Sequence, residues 1–310
     1  MRDAFAKELT KLAKKTSKLV LLSGDIGNRM FDEYKNSPNG NFLNCGIAEA
    51  NMMGVAAGMA MSGLKPIIYT ITPFTTTRCY EQIRVDVCYH NLPVIIIGTG
   101  SGLSYAGLGP THHSLEDFAI FRVLPNITIM APSDPIEVKK CLNEALKVDG
   151  PVYIRIGKKG EKTLTKETTP FKIGHSVNFK KGKDVCLIGS GTIMSEVLEA
   201  SRLLEERGVS THVEGFHTIK PLDTASLKKL FSSFDIISIV EEHSSIGGLF
   251  GAISEWKALE CDLHKTRIIS FGTKDEFMHE IGSQKYARKK NEIDALSIFN
   301  KTLKAYQERR

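Results

Sequence analysis

The stretch that decides the fold is GIAEANMMGVAAGMA, residues 46–60. Small and apolar residues fill it, and Glu49 is its one charged side chain. As a helix it has almost no polar face, which predicts that most of it is buried. Gly54 and Gly58 suit close packing against another helix. The carboxylate of Glu49, stabilised by the helix N-terminus, is either a partly exposed first-turn group or a buried acid that meets a nitrogen base at an interface.

Apolar segments of strand length alternate with helical segments on both sides of this stretch. In the first half we predict strands at 19–23, 66–71, 93–97, 127–130 and 152–155 and helices at 2–18, 46–60 and 76–90, with residues 26–45 irregular. In the second half we predict strands at 185–188, 210–214, 236–240 and 267–271 and helices at 193–207, 223–231, 247–258 and 293–306. Such alternation is typical of parallel sheets covered by helices. We therefore predict an α/β protein with two parallel-sheet, three-layer domains, residues 1–160 and 184–310, joined by a Lys- and Thr-rich linker at 161–183.

Composition narrows the class of protein. The chain has 310 residues, of which 42% are apolar and 25% charged, with a formal net charge of +6. Its longest apolar runs have the length of strands, so we expect no membrane span, and its first residues lack the apolar run of a signal peptide. The positive charge is spread along the chain, which argues against nucleic-acid binding. Six cysteines occur singly, without metal-binding spacing, as expected in the cytoplasm.

A second motif, GPTHHSLED at residues 109–117, follows a glycine-rich loop. A lone histidine in a loop is usually a surface residue. Two in succession, just before a helix that Ser114 can cap, indicate a functional site more strongly. A histidine placed there could donate a hydrogen bond to a developing alkoxide or shuttle a proton near neutral pH.

These two motifs carry a resemblance to a known family. Residues 46–49 and the helix after them resemble the pyrimidine-binding module of thiamine diphosphate enzymes, and the chain is similar to the C-terminal half of transketolase. Residues 219–223 (IKPLD) and 240–248 (VEEHSSIGG) resemble segments of the C-terminal domain of that family. The resemblance implies that Glu49 hydrogen-bonds to N1′ of the cofactor's aminopyrimidine, which favours loss of the thiazolium C2 proton. It also implies that His112 contacts an oxygen of the sugar donor.

The resemblance implies further ligands. Phe74 takes the place of an aromatic ring that stacks on the aminopyrimidine, and Asp25 that of an acid near the cofactor. Arg2 and Arg155 resemble ligands of the substrate phosphate. Arg29 stands where the family often has a phosphate-binding serine, and it could reinforce an anion site.

Two positions depart from the family pattern. Leu108 replaces an Asp that reads sugar hydroxyls, and Gly100 replaces a His that helps to bind the substrate phosphate. The usual pentose phosphates are therefore in doubt as substrates, and an unusual sugar is expected. Neither position performs the proton transfer.

The sequence lacks a Gly-Asp-Gly motif with a downstream Asn, which in this family marks the half that binds diphosphate and Mg²⁺ (or Ca²⁺). The resemblance then implies a separate partner subunit that carries that half, in an α2β2 assembly acting on sugar phosphates by transfer of a two-carbon ketol unit. Within the same family, the beta chain of a 2-oxo acid dehydrogenase and deoxyxylulose-phosphate synthase are alternatives. Outside it, glycines at 98–102 and 189–191 leave a dinucleotide-binding protein open, and a non-catalytic subunit is a third alternative.

Overall fold

Two sheets carry the fold, and each is built mainly from strands that are buried on both faces. The computed structural model describes residues 1–27, 29–260 and 265–309. The strands are β1 (Leu19–Ser23), β2 (Asn41–Asn44), β3 (Lys65–Ile71), β4 (Ile95–Thr99), β5 (Thr128–Met130), β6 (Val152–Ile156), β7 (Val177–Lys180), β8 (Val185–Ser190), β9 (Thr211–Gly215), β10 (Thr218–Lys220), β11 (Ile236–Ser244) and β12 (Arg267–Thr273).

The helices lie between these strands and cover the sheets. They are α1 (Arg2–Ala13), α2 (Asp32–Lys35), α3 (Glu49–Met61), α4 (Thr72–Thr75), α5 (Tyr80–Gln82), α6 (Asp117–Arg122), α7 (Pro135–Ala145), α8 (Met194–Glu206), α9 (Thr224–Ser233), α10 (Leu249–Leu259), α11 (Gln284–Lys290) and α12 (Ala295–Gln307). None of the helices in the described ranges is long and apolar enough to cross a membrane.

The first sheet has the order β10-β5-β6-β4-β3-β1-β2, and the second has the order β12-β11-β8-β9-β7. All neighbours run parallel except β10 against β5 and β7 against β9. Successive residues of the central strands enter opposite clusters: Leu21 and Ile67 pack with α1 and α7, whereas Leu22 and Ile68 pack with α3. The predicted α/β architecture of two helix-covered, mainly parallel sheets is thus confirmed.

The structure adds edge strands that the sequence pattern did not predict. Strand β2 lies within the segment predicted as irregular, and β7 lies within the predicted linker. Both are short edge strands with partly exposed residues, so no continuous apolar run marks them. Strand β10 belongs in sequence to the second half, yet it pairs with β5 of the first sheet. The two halves therefore share main-chain hydrogen bonds.

The helix predicted at 76–90 is broken. Helix α4 is followed by a 3₁₀ turn (Thr77–Cys79), the short α5 and a π-helical segment (Ile83–Tyr89). The hydroxyl groups of Thr75 and Thr76 donate to the carbonyl of Thr72, and that of Thr77 donates to the carbonyl of Pro73. Threonine hydroxyls that bond back to the main chain in this way compete with a regular helix.

Asp134 fixes part of the segment between the domains. It caps α7 by accepting from the amide of Glu137 at 2.7 Å. Its second oxygen accepts from the amides of Leu164 and Thr165 and from the Thr165 hydroxyl, at 2.6–2.8 Å. This buried carboxylate therefore ties residues 164–165 to the first domain.

We expect Asp134→Ala to lower the free energy of unfolding by about 3 kcal/mol, because it leaves several buried hydrogen-bond donors without an acceptor. Asp294→Ala is the matched control: Asp294 also precedes a helix, α12, but its side chain accepts no capping bond from that helix's main chain. The control should cost about 1 kcal/mol or less. Urea unfolding followed by circular dichroism measures both, and equal losses would contradict this account of Asp134.

Candidate functional site

The candidate site lies where β1, β3, β4 and β6 end. Parallel strands place their carboxyl ends on one edge of a sheet, where α/β proteins bind ligands. Gly24 follows β1, α4 follows β3, the loop with His112 follows β4, and Lys158 follows β6. Helix α3 begins at the same edge, since a Cβ on Gly24 would lie only 3.6 Å from Oε1 of Glu49.

Glu49 is the first residue of α3 and is only 4% exposed. Its Oε2 accepts from Nη1 of Arg78 at 3.0 Å. A carboxylate taken out of water needs such a partner, because an unpaired buried charge is strongly destabilising. The sequence had left open an exposed or a buried Glu49, and the structure has it buried.

Phe74 and Arg78 complete the surroundings of Glu49. The guanidinium carbon of Arg78 lies 3.9 Å from the centroid of the Phe74 ring, a cation–π contact. Arg78 is thus shared between a carboxylate and an aromatic face. Sequence reasoning missed it; the available signal was its position four residues after Phe74.

His112 closes the cluster. Its ring centroid lies 5.3 Å from that of Phe74, at an interplanar angle of 67°. Its Nδ1 lies 2.9 Å from the hydroxyl oxygen of Thr111. Burial, and then the positive charges of Arg78 and Lys158, lower the pKa of His112. The imidazole is therefore held toward its neutral form, in which one ring nitrogen donates and the other accepts.

His113 is a different kind of residue from its neighbour. It is buried, its Nε2 has no hydrogen-bond partner, and burial lowers its pKa. Only His112 of the two lies in ring contact with Phe74. The structure therefore distinguishes the two histidines, which the sequence alone could not do.

Arg155 is not available to a ligand, which corrects its predicted role in phosphate binding. It is 4% exposed, and its Nη1 donates to Oδ1 of Asp117 at 2.9 Å. Its Nη2 donates to the carbonyl of Glu242, and its guanidinium stacks on Phe118. All of these partners are internal, so Arg155 joins the domains instead of facing the site.

Lys158 is the cation that β6 delivers to the site. Its Nζ lies 4.3 Å from the centroid of the Tyr105 ring, and its charge acts on His112. Arg2, the first residue of α1, is half-buried and near enough to Tyr105 to oppose the rise in pKa that burial causes there. Sequence reasoning found Arg2 but missed Lys158, whose signal was its position just beyond the carboxyl end of a buried strand.

Gly100 owes its identity to Tyr105. It has φ +82°, and a Cβ there would lie 2.0 Å from the Tyr105 ring. Tyr105 thus fills the space beside position 100. Leu108, the other departure from the family pattern, is exposed on the same loop.

Two predicted residues, Asp25 and Arg29, follow β1 and are exposed to solvent. Asp25 is exposed, and its Oδ1 accepts from the side-chain amide of Asn44 at 3.1 Å. Arg29 is exposed in the turn before α2. No contact described in the structure joins either residue to Glu49, and their roles stay predictions.

The glycine-rich turns that left a dinucleotide site open have packing explanations. A Cβ on Gly98 would lie 2.9 Å from the Tyr153 hydroxyl, and one on Gly189 would lie 2.5 Å from Sδ of Met194. Close packing therefore accounts for both glycines. Within the described residues, no group of three or more potential ligand side chains is arranged to hold a metal ion.

Comparison with known proteins matches both halves of the chain. Residues 1–160 match the family described as transketolase, pyrimidine binding domain, and residues 174–289 match transketolase, C-terminal domain. The chain is 30% identical over 299 residues to the 6-deoxy-6-sulfo-D-fructose transketolase subunit SqwH of Clostridium sp., covering 96% of this chain and 92% of that protein. It is 34% identical over 263 residues to an apulose-4-phosphate transketolase subunit of Actinobacillus succinogenes, covering 84% of this chain and 83% of that protein.

A solved structure described as a split gene transketolase, inactive beta4 tetramer, superposes with a TM-score of 0.87 at 30% identity, covering 100% of this chain and 98% of that one. Synthases of 1-deoxy-D-xylulose 5-phosphate also match. One from Chlorobium phaeovibrioides is 33% identical, but this chain spans only 47% of its length.

We expect Lys158→Met to raise the pKa of His112 toward that of an ordinary histidine, because one of the positive charges that disfavour the imidazolium is removed. An NMR titration of His112 measures it. Lys159→Met is the matched control, since Lys159 is exposed and is not among the charges that act on His112; an equal shift in both variants would contradict the placement of Lys158.

Proposed function

We propose, because this chain belongs to the transketolase family, that it is the C-terminal, beta-type subunit of a split transketolase that transfers a two-carbon ketol unit between a ketose and an aldose. The observation that carries the proposal is the cluster of Glu49, Phe74 and His112 at the carboxyl edge of the first sheet. A buried carboxylate, an aromatic face and a neutral imidazole are the groups that this chemistry needs.

The family implies thiamine diphosphate as the cofactor, and the residues present fit its aminopyrimidine end. Glu49 offers a buried carboxylate to a ring nitrogen, and Phe74 offers a ring face for stacking. The hydroxyl of Thr70, buried and without a partner, lies on the same side, because a Cβ on Gly24 would lie within 2.9 Å of it and 3.6 Å of Glu49. When bound, the cofactor would supply the nucleophilic carbon that this chemistry requires at the ketose carbonyl.

Each residue then has a defined task. Glu49 would accept a hydrogen bond from N1′ of the aminopyrimidine, and its buried carboxylate would favour the tautomer that can take up a proton. With the Thr111 hydroxyl donating to Nδ1 of His112, Nε2 carries the hydrogen and donates to the oxygen of the substrate as charge develops there. Asp25, exposed just after β1, supports the cofactor.

The anionic end of the substrate meets Arg2 and Lys158, with Arg29 as an outer cation. Lys158 replaces Arg155 in this set, since Arg155 is already paired with Asp117. The relatives described as acting on a sulfo-sugar and on apulose 4-phosphate support an uncommon sugar with an anionic tail. The two departures from the family pattern also support an uncommon sugar. The Tyr105 ring fills the space beside Gly100, and Leu108 lies exposed on the same loop.

A partner subunit would bring the diphosphate-binding half and Mg²⁺ (or Ca²⁺), in an α2β2 assembly. The exposed side of α3, together with Ile47 just before that helix, supports such a partner. Ile47 is 84% exposed, Met61 is exposed, and Cβ atoms on Gly54 and Gly58 would have no neighbour within 4 Å. An apolar surface with open glycines suits another helix packed closely against it. The tetramer of beta chains described for a structural relative is inactive, which fits a chain that needs such a partner.

A deoxyxylulose-phosphate synthase subunit is the second candidate, favoured by the matches along nearly the whole of this chain. The two candidates differ in the product. Formation of 1-deoxy-D-xylulose 5-phosphate tests the synthase, and exchange between ketose phosphates and an aldose acceptor tests ketol transfer.

Calorimetry with thiamine diphosphate and Mg²⁺ tests the need for a partner. We expect weak or no binding to this chain alone, because it holds only the aminopyrimidine end. Tight binding is expected once the candidate partner subunit is added. Tight binding to the chain alone would contradict a divided site, and no binding to the mixture would contradict the proposed cofactor.

Glu49→Gln should reduce ketol transfer by the assembled enzyme by roughly a hundredfold or more, because the neutral amide lacks the charge with which the carboxylate favours the proton-accepting tautomer. Assembly, followed by size-exclusion chromatography, should be unchanged. Glu81→Gln is the matched control, since Glu81 is exposed and pairs with Arg84 in its own turn. Unaltered turnover in Glu49→Gln would overturn the mechanism.

A further inference from the structure

The loop that carries His112 joins β4 to α6 and is pinched at its base. The amide of Ser114 donates to the carbonyl of Gly102 at 3.0 Å, an isolated bridge between the two arms of the loop. We call residues 100–116 the histidine loop. Short 3₁₀ turns at Ala106–Leu108 and Pro110–His112 are its regular structure.

The histidine loop is held by a side chain of the second domain. Glu242 lies in β11 and is 2% exposed. Its Oε1 accepts from the main-chain amide of Leu103 at 2.7 Å and from the side-chain amide of Gln284 at 2.8 Å. Its Oε2 accepts from Nε of Arg288 at 2.5 Å. One oxygen thus serves the loop, and the other is paired with a buried cation.

The loop is shaped for this carboxylate. Gly102 has φ +56°, and a Cβ there would lie 2.6 Å from both Cγ and Oε1 of Glu242. Any larger residue at position 102 would push the loop away from the second domain. The glycine therefore permits the close approach that the Leu103 bond requires.

The other arm of the loop is bound to the same strand. The amide of Ser244 donates to the carbonyl of Leu115 at 2.7 Å. Residues 242–244 of β11 therefore hold both arms, at Leu103 and at Leu115. His112 lies between these two attachments and projects toward Phe74.

We propose that Glu242 is a positioning residue for His112, acting through the Leu103 amide and oriented by its ion pair with Arg288. Its catalytic meaning rests on the proposed function, in which His112 donates to the substrate. The second domain, whose described residues lend no side chain to the cluster around Glu49, thereby sets the place of one of the reacting groups.

The experiment uses this chain with three variants. Glu242→Ala removes the acceptor. Glu242→Gln keeps an oxygen for the Leu103 amide but loses the ion pair with Arg288. The matched control is Glu196→Gln, because Glu196 also pairs with Arg288, at 3.1 Å, and otherwise accepts from the amide of Ala295 instead of the loop.

Hydrogen exchange by mass spectrometry follows peptides that span residues 100–116, and an NMR titration follows the pKa of His112. In Glu242→Ala we expect loop exchange to accelerate by about tenfold or more. The pKa of His112 should rise toward the ordinary value, because the ring leaves the buried, positively charged surroundings that lower it. Glu242→Gln should give a smaller change of the same sign, and Glu196→Gln should leave both readouts as in the wild type.

Unchanged loop exchange and an unchanged His112 pKa in a folded Glu242→Gln or Glu242→Ala protein would overturn the proposal. So would equal changes in Glu196→Gln, since they would assign the effect to Arg288 in general. Both readouts need neither partner, cofactor nor substrate. Absence of ketol transfer would therefore count against the proposed function alone, whereas an unmoved loop would count against the role of Glu242.

Discussion

Two buried guanidinium–carboxylate pairs, one in each domain, each form a hydrogen bond with the main chain of the other domain, and the place that we propose for His112 depends on them. Arg155 of the first domain pairs with Asp117 and reaches the main chain of β11, while Glu242 of the second pairs with Arg288 and reaches the histidine loop. Removing one member of such a pair strands a charge, at about 3–5 kcal/mol. Apolar residues of similar size could stabilise the interface as well. The ion pairs differ from them because each oxygen and nitrogen forms hydrogen bonds in fixed directions and so fixes the positions of its partners.

The sequence was sufficient to predict the strands that are completely buried, but not those that are partly exposed. Central strands such as β4 and β8 are buried on both faces. Each therefore contains an apolar run in the sequence, and that run predicts the strand. The edge strands β2, β7 and β10 lack such a run, and β10 crosses to the other sheet, which no local pattern encodes. The helix expected at 76–90 failed for a local reason that composition did contain, three successive threonines whose hydroxyls bond to the main chain.

The same limit applies to the site. Glu49, Phe74 and His112 were predicted and do lie together, because their motifs place them at strand ends on one edge. Arg155 and Lys158 could not be ranked from sequence, since they lie close together at the end of the same strand. Only the tertiary structure shows that Asp117 occupies the first and that the second stands beside Tyr105.

Arg78 sets a condition on how the proposed site works. Its guanidinium contacts the Glu49 carboxylate and the face of Phe74, the two surfaces that the proposed function assigns to the aminopyrimidine. One face of Phe74 cannot serve both, so Arg78 must turn aside whenever the proposed chemistry takes place. Its side chain is 46% exposed, and much of its charge can therefore return to water at little loss of packing. Glu49, at 4% exposure, has no such alternative and exchanges one nitrogen partner for another.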